Sequence, residues 1–587
     1  MTVNAICYDD KPQIRKRLKK SFGKVCSAKM IKRKLPIVGW LPKYNVNTLV
    51  QDMIAGITVG LTAIPQGLAY AIIAGLSPEY GLYSGLVAGV VYTFFGSCKD
   101  ITVGPTAIMA AIVAKFVAYS SDFAILASFL AGIVELLMGV LNFGFLVEFI
   151  SGPVISGFTT AAVLQIASSQ LKGLFGLRGS AGTYFAESAV SFVRNIKTTT
   201  LWDPILGFST IVILLLLKKL GRGCSITGGV SEKIRCYVSL SRNAIVVVIG
   251  MLVAFIVKRT TGDEPVVLIG DIVKGLPTPK LPPFSTTVGN DSYIFGDMLQ
   301  VFGPSSFVLP FVAILEAVAV AKSFADGVQV DANQEMIALG LCNIVSSFVS
   351  SMPTTGSFTK SALNRASGVK TPAGGIFNCL LIVLSVTLLA STFYYVPKAS
   401  LAGLIITAMM SMVDYEIFGR LWVHSKRELC VLIVTIIMCL GVGLEYGIVT
   451  GILLDALFIL YSKARPTVYV YSQKEPRADL VVITLNYNLS YCAAEHVRKS
   501  ILVAAEGISS DSLIIIDGTN LRKIDSTIAS TLATVANDVN NKICPCLFLN
   551  FDEKLSKMCT ALKPQLADKF FCCKKLSDVA DMYFKGV

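Results

Sequence analysis

The chain has 587 residues, of which 53% are hydrophobic and only 15% charged, with a formal net charge of +14. Soluble proteins carry about 25% charged residues, so this composition excludes an ordinary soluble globule and makes lipid part of the solvent. The positive charge lies in blocks beside apolar runs, with no basic–aromatic module, which argues against nucleic acid as a partner.

Residues 1–46 are a basic, polar tail, KPQIRKRLKK through IKRKLP, without the short apolar region and small-residue cleavage site of a secretory signal. From 47 to 465, apolar runs and their breakers mark about fourteen membrane segments. Seven fall near 52–74, 79–96, 102–118, 123–147, 152–173, 202–219 and 244–257. A polar, Pro-rich stretch at Gly275 to Asp297 follows. Seven more fall near 306–325, 333–350, 354–367, 375–396, 399–413, 429–446 and 447–463. The run Phe377 to Val396 has the ~20 uncharged residues a helix needs to cross ~30 Å of hydrocarbon. With the tail in the cytosol, seven crossings put the Gly275–Asp297 loop outside. The basic stretches KKLGRG…SRN and GRLWVHSKRE then both fall inside, and an even total returns the chain to the cytosol at Ser462 to Pro466.

The third segment of each set is interrupted. Ile101 to Ala107 reads ITVGPTA, and Pro353 to Asn364 reads PTTGSFTKSALN. Pro within a helix removes a hydrogen bond and clashes with the preceding turn. Irregular backbone is tolerated at membrane depth only inside protein or along a cavity. Two interrupted segments at matching places in two halves predict an inverted-repeat transporter with its site between them. Half-helices beginning at Pro105 and Ser357 would present unpaired N–H groups and positive dipole ends to one another, a ready anion site. Ser357 and Thr359 add hydroxyl donors and Lys360 adds a full charge, with no carboxylate in PTTGSFTKSALN to cancel it. Against this stand an ordinary loop outside the bilayer and a snorkelling Lys360.

Glu316, in FVAILEAVAVAKSFA, is an acid in mid-span and by default a functional candidate. It is read as a proton carrier, a balance for Lys360, or a structural partner of Lys322. Glu135 and Glu148 are further candidates to face the cavity, with a helix-end position at the interface the alternative for Glu148. Beyond Pro466 the composition changes: the β-branched runs VYVYS, LVVITLN, LIIIDGTN and CLFLNF alternate with helix-length segments, predicting a soluble α/β domain over 466–587. The 15 cysteines form no regular framework and there are two histidines, so neither a disulfide scaffold nor a metal site is expected. No cofactor is expected.

The stretches IPQGLAYAIIAGLSPEYGLYSG (Ile64 to Gly85), ITVGPTA, LEAVAVAKSFA and TGSFTKSALNRASG together resemble the SulP family, sulfate permeases and anion exchangers with a C-terminal STAS domain. The resemblance is greatest to the sodium-independent sulfate anion transporter branch. It implies an α-helical polytopic membrane protein of fourteen segments in two inverted seven-segment repeats with two half-helices, divided into core and gate parts, plus a cytosolic α/β STAS domain. By position it implies that Gln66 and Tyr70 line the pocket and Thr106 follows the first break. Ser357, Thr359 and Lys360 form the second half-helix end, and Glu316 matches an acid linked to proton coupling. The family often has an aromatic in place of Thr106 and an arginine in place of Lys360, whose planar fork lysine lacks. Asp525-Ser526 matches a STAS position phosphorylated in bacterial relatives, against the plainer reading of a helix cap.

The implied function is secondary active transport of sulfate and related anions, with chloride, bicarbonate and oxalate open, by exchange or proton coupling. The implied partners are these anions, membrane lipid and a second copy of the chain. The alternatives are an anion channel or voltage-responsive membrane protein on the same fold, a nucleobase permease, or a membrane-tethered scaffold. The expected location is the plasma membrane, with an endolysosomal membrane the alternative.

Overall fold

The computed structural model describes residues 34–573 except 179–184, 222–229, 262–265, 325–329, 476–478, 507 and 509–511, together with 576 and 579. Most of the expected basic tail, and part of the basic stretch before Arg242, lie outside the described residues. The chain divides into two units, Met1–Ile452 and Leu453–Val587. The division falls within the last apolar helix, Leu444–Ala464, ahead of the boundary expected at 465.

The first unit is built of apolar helices. Among the described residues six are long and apolar enough to cross a membrane: Val46–Ala74, Ser121–Val140, Gly152–Leu174, Arg242–Thr260, Ser305–Phe324 and Tyr446–Ala464. Ala107–Val117, Gly374–Leu389 and Lys398–Met410 are apolar but shorter. Other expected segments are broken. The run expected as 79–96 is split into Pro78–Leu86 and Ala88–Phe95. The run 375–396 passes from α-helix through a π-turn at Ser385–Leu389 into a 3₁₀ turn at Thr392–Tyr395. Short amphipathic helices that hydropathy does not mark lie at Phe185–Asn195, Val230–Leu240 and Glu416–His424. The polar stretch after Gly275 carries a hairpin, β2 (Ser285–Val288) against β3 (Asp291–Ile294).

The functional elements are α1 (Val46–Ala74), α2 (Ala107–Val117), α3 (Ser121–Val140), α4 (Ser305–Phe324), α5 (Ala332–Ser347), α6 (Phe358–Ala366) and α7 (Gly374–Leu384). These pack on one another: α1 lies against α2, α6 and α7, and α3 lies along α5 and α4. A second cluster joins Gly152–Leu174 to Lys398–Met410 and Lys426–Gly441, with Trp202–Leu220 against Lys398–Met410. Glycine sets the closest approaches. A Cβ on Gly81 would fall within bond-like range of the Gly67 carbonyl oxygen, and one on Gly340 would meet the Leu136 nitrogen at 2.5 Å. In hydrocarbon, helices associate by such packing and by interhelical hydrogen bonds.

The second unit holds a five-stranded sheet in the order β5 (Tyr469–Lys474), β6 (Asp479–Asn488), β7 (Leu513–Lys523), β8 (Cys546–Leu549) and β9 (Phe570–Phe571). Only the β5–β6 pair is antiparallel. The parallel strands need crossovers, which the helices Ala494–Ala505, Ser526–Lys542 and Glu553–Leu562 supply. Alternation along LIII puts Ile514 and Ile516 beneath those helices with Ile528 and Leu532, and Leu513 and Ile515 on the other face.

Candidate functional site

Two interruptions expected from Pro and Gly meet at one place. Val103–Gly104 (β1) pairs antiparallel with Thr355–Gly356 (β4), Val103 opposite Gly356 and Gly104 opposite Thr355. Ser357 N–H donates to the Thr102 carbonyl at 3.1 Å, extending the ladder. Two extended pieces cannot continue as helix, so each chain restarts just beyond. The helices begin at Ala107 and Phe358, so Pro105 and Ser357 precede the half-helices rather than open them. Pro105 lies between β1 and its cap, and Ser357 is itself an extended N-cap residue. Because the strands run oppositely, α2 and α6 leave the crossing in opposite directions with their N-termini beside it.

Thr106 is the N-cap of α2, its hydroxyl accepting from Met109 N at 3.4 Å. Ser357 makes no capping bond with its side chain; its hydroxyl lies 3.3 Å from that of Thr359. The positive end of α6, with N–H groups that have no intrahelical partner, is thus uncapped by its own serine. Lys360 follows within the first turn of α6 and is 1% exposed. Both expectations that placed it in water or snorkelling are overturned: its ammonium donates to the Pro105 carbonyl at 2.9 Å. Ammonium has three donors, and that carbonyl is the only hydrogen-bond acceptor it meets among the described residues. A Cβ on Gly104 would sit 3.1 Å from the same nitrogen, so glycine makes room for it.

From α1, Tyr70 places its ring 5.8 Å from the Lys360 nitrogen, measured to the centroid, and is 2% exposed. Gln66, one turn earlier, is buried, and its Oε1 has no hydrogen-bond partner among the described residues; the same holds for Thr62 Oγ1. Thr359 is partly exposed. Glu316 on α4 is buried, and Thr106 Oγ1 donates to its Oε2 at 3.3 Å. That contact, with Lys322 exposed, stands against the alternative reading of Glu316 as a structural partner of Lys322. The structure therefore brings Tyr70 to Lys360 and Thr106 to Glu316, the two pairs adjoining where the Lys360 ammonium reaches the carbonyl of Pro105, the residue before Thr106, with Ser357 and Thr359 at the α6 end. Glu135 is buried between α3 and α5, whereas Glu148 is exposed in the 3₁₀ turn Phe143–Phe149, so it is a surface residue rather than a cavity acid.

Sequence reasoning missed the groups that hold the breaks in place. The Thr355 hydroxyl donates to the Ala313 carbonyl of α4 at 2.6 Å, and Ser361 Oγ accepts from Thr102 N at 3.0 Å. Asn343 binds Thr354 from α5. The available signal was Asn343 itself, a full amide within the apolar run GLCNIV. Among the described residues no group of three or more His, Cys, Asp and Glu forms a metal cage.

Apolar spans enclosing two crossed half-helices, with buried polar groups where the helix ends meet, define a multi-pass membrane transporter. The sulfate permease family profile matches residues 49–435, and the sodium-independent sulfate anion transporter of Bos taurus is 39% identical over 529 residues, spanning 88% of this chain and 86% of its own. The chain belongs to the sulfate permease family. The probable sulfate transporter 4.2 of Arabidopsis thaliana is 33% identical over 447 residues, 74% of this chain and 62% of its own. In fold, the murine Solute Carrier 26 family member A9 anion transporter, in an inward-facing state, gives a TM-score of 0.82 at 20% identity over 100% of both chains. The transmembrane domain of the cyanobacterial bicarbonate transporter BicA gives 0.55 at 19% identity, over 70% of this chain and 98% of its own.

Proposed function

We propose that the protein is a secondary active transporter of sulfate and related inorganic anions, and that the anion binds where α2 and α6 present their N-termini. Gln66, Tyr70, Thr106, Ser357, Thr359 and Lys360 form the site in this reading. The observation that carries it is Lys360. A buried ammonium beside two positive helix ends, with no carboxylate in ion-pair contact among the described residues, is electrostatically completed by an anion. The names of its relatives support sulfate as the first anion to test. Chloride, bicarbonate and oxalate share the charge that dipoles and one lysine recognise.

Glu316, bonded to the hydroxyl that caps α2, is the proton-coupling residue in this proposal. The fourteen-segment, two-repeat organisation is supported by the matched breaks at 103–106 and 354–357. The second unit is read as a STAS domain from its mixed sheet and crossover helices, with Asp525 in the plain capping role: its carboxylate accepts from Ile528 N at 2.9 Å. The active form is a homodimer in the plasma membrane.

The test is uptake of radiolabelled sulfate into proteoliposomes, with competing anions and an imposed pH gradient. Saturable uptake that is accelerated by a trans anion or an acid exterior supports the carrier. Large unitary currents without saturation would replace it with a channel.

A further inference from the structure

Thr354 is the residue by which the chain enters the β4 break, and its backbone is gripped from the side by Asn343 of α5. The Thr354 N–H donates to Asn343 Oδ1 at 2.8 Å, and the Thr354 hydroxyl donates to the same oxygen at 2.8 Å. Asn343 Nδ2 donates in turn to the Thr354 carbonyl at 3.0 Å. Its other hydrogen goes to Glu135 Oε2 of α3 at 2.8 Å. A carboxamide has two donor hydrogens and two acceptor lone pairs, and here all four are used. Asn343 and Glu135 are both 0% exposed.

The clamp stands on rigid ground. At this level α3 and α5 touch through Gly132 and Gly340, where a Cβ on either would lie within 2.8 Å of the opposite backbone. The Ser128 hydroxyl of α3 donates to the Asn343 carbonyl at 3.2 Å. What the clamp holds is the opposite: extended backbone at membrane depth, whose polar groups must be satisfied by protein. The residues it fixes lead directly into the β1–β4 pair, Ser357 and Lys360.

We propose that Asn343 is a positioning residue for anion binding, and that Glu135 is the acceptor that fixes which way round its amide lies. The proposal rests on the anion-site reading above. Asn343 imitates a neighbouring strand for Thr354, and so sets the register in which Ser357 and the α6 N-terminus face the site. Glu135 works through an accepting oxygen and not through a proton it gives up. Among the described residues no cation pairs with it, and its Oε1 has no hydrogen-bond partner. A glutamine at that position keeps the accepting carbonyl; leucine does not.

The test uses purified full-length protein carrying Asn343→Asp, Glu135→Gln or Glu135→Leu, with two readouts. The first is equilibrium binding of radiolabelled sulfate, with the pH profile of uptake beside it. Asn343→Asp leaves at most one of the two donors, and Glu135→Leu removes the orienting acceptor; each weakens sulfate binding about tenfold or more, the scale of a lost buried hydrogen bond. Glu135→Gln stays within about twofold, by the same measure, and keeps the parent pH profile. The second readout is the rate at which a small thiol reagent modifies Ser357→Cys, taken relative to the same protein without that change. It rises in the Asn343→Asp and Glu135→Leu backgrounds and not with Glu135→Gln. An unchanged modification rate overturns the clamp whatever sulfate does. A shifted pH profile in Glu135→Gln overturns the acceptor role and makes Glu135 a proton carrier. If the parent binds no inorganic anion while the modification rates change as expected, the anion reading falls and the clamp stands. Should Asn343→Asp fail to fold, Glu135→Leu carries the comparison.

Discussion

The Lys360 ammonium and the Pro105 carbonyl, 255 residues apart in the chain, meet at 2.9 Å. The contact ties the end of one half-helix to the break before the other. It also draws a full positive charge to a point where two helix N-termini already concentrate partial positive charge. Like-signed charges gathered in a low-dielectric interior repel one another, so the arrangement is stable only with a compensating group. The Pro105 carbonyl supplies part of that compensation as a dipole. The buried Glu316 carboxylate at the same crossing supplies more, and in the proposed function a bound anion completes it.

Lys360→Ala is therefore expected to reduce sulfate affinity more than it reduces expression. A charge-assisted contact contributes about 1–3 kcal/mol, or about 5- to 150-fold in Kd at 1.4 kcal/mol per decade. Lys360→Arg retains binding and alters the order of anion preference through bidentate contacts, and Lys360→Glu abolishes binding by reversing the local field. Direct binding measurements on the purified variants check this. Normal sulfate affinity in Lys360→Glu would remove Lys360 from the site.

Glycine positions separate packing from chemistry. A Cβ at Gly104 meets only the tip of Lys360, at 3.1 Å, whereas one at Gly81 collides with the Gly67 backbone carbonyl. A flexible side chain can give way and a helix backbone cannot. Gly104→Ala is expected to express normally and bind sulfate several-fold more weakly, the scale of a perturbed charge-assisted contact. Gly81→Ala is expected to lose about 1–3 kcal/mol of stability, the usual cost of overpacking, with binding intact in whatever folds. Thermal stability and sulfate binding, measured on both, should dissociate in opposite senses.

The sequence revealed the parts of this fold that hydropathy and backbone chemistry dictate. Gly104-Pro105 and Pro353 to Gly356 announced the two breaks because no continuous helix accommodates them. Lys360 and Glu316 stood out because charge is costly in hydrocarbon. What stayed hidden depends on tertiary partners. Nothing local to ITVGPTA says that Val103 pairs with Gly356, and nothing in GSFT or TKSA says which carbonyl a lysine will choose. Asn343 was visible as a polar residue in an apolar run, but its four hydrogen bonds reach Thr354 and Glu135, and only the folded bundle brings those groups together. The split of 79–96 and the π-turn at Ser385–Leu389 escaped because hydropathy measures solvent preference and not helical continuity.

Glycosylation distinguishes the two sequons by topology rather than by steric access. Asn290 lies in the two-residue turn of the β2–β3 hairpin, and Asn488 ends β6; both are exposed. The topology expected from the sequence puts both termini in the cytosol, and on that topology only the Asn290-Asp291-Ser292 sequon would meet the glycosylation machinery. A mobility shift on glycosidase treatment that disappears in Asn290→Gln and persists in Asn488→Gln is the expected result. Glycan on Asn488 would reverse the orientation of the second unit.

Glu316 is the remaining charge at the crossing, and its position defines how it is tested. It accepts from the Thr106 hydroxyl at 3.3 Å, and Thr106 caps α2, so protonation of the carboxyl changes the group that holds one of the two helix ends. Its own helix also backs onto the other break, through the Thr355 bond to Ala313 and the approach of Gly356 to Ala317. A proton on Glu316 removes negative charge near the site, and the field at the helix ends becomes more favourable for an incoming anion. Proton and anion are then expected to bind with positive coupling, so that an acid exterior accelerates sulfate uptake. Glu316→Gln keeps the size and the acceptor for Thr106 while removing the titration. It is expected to fold normally, to take up sulfate at neutral pH, and to lose the acceleration by an acid exterior. Initial rates of radiolabelled sulfate uptake into proteoliposomes across a series of external pH values check this. A Glu316→Gln profile that rises with acid as steeply as the parent's would leave Glu316 a purely structural partner of Thr106.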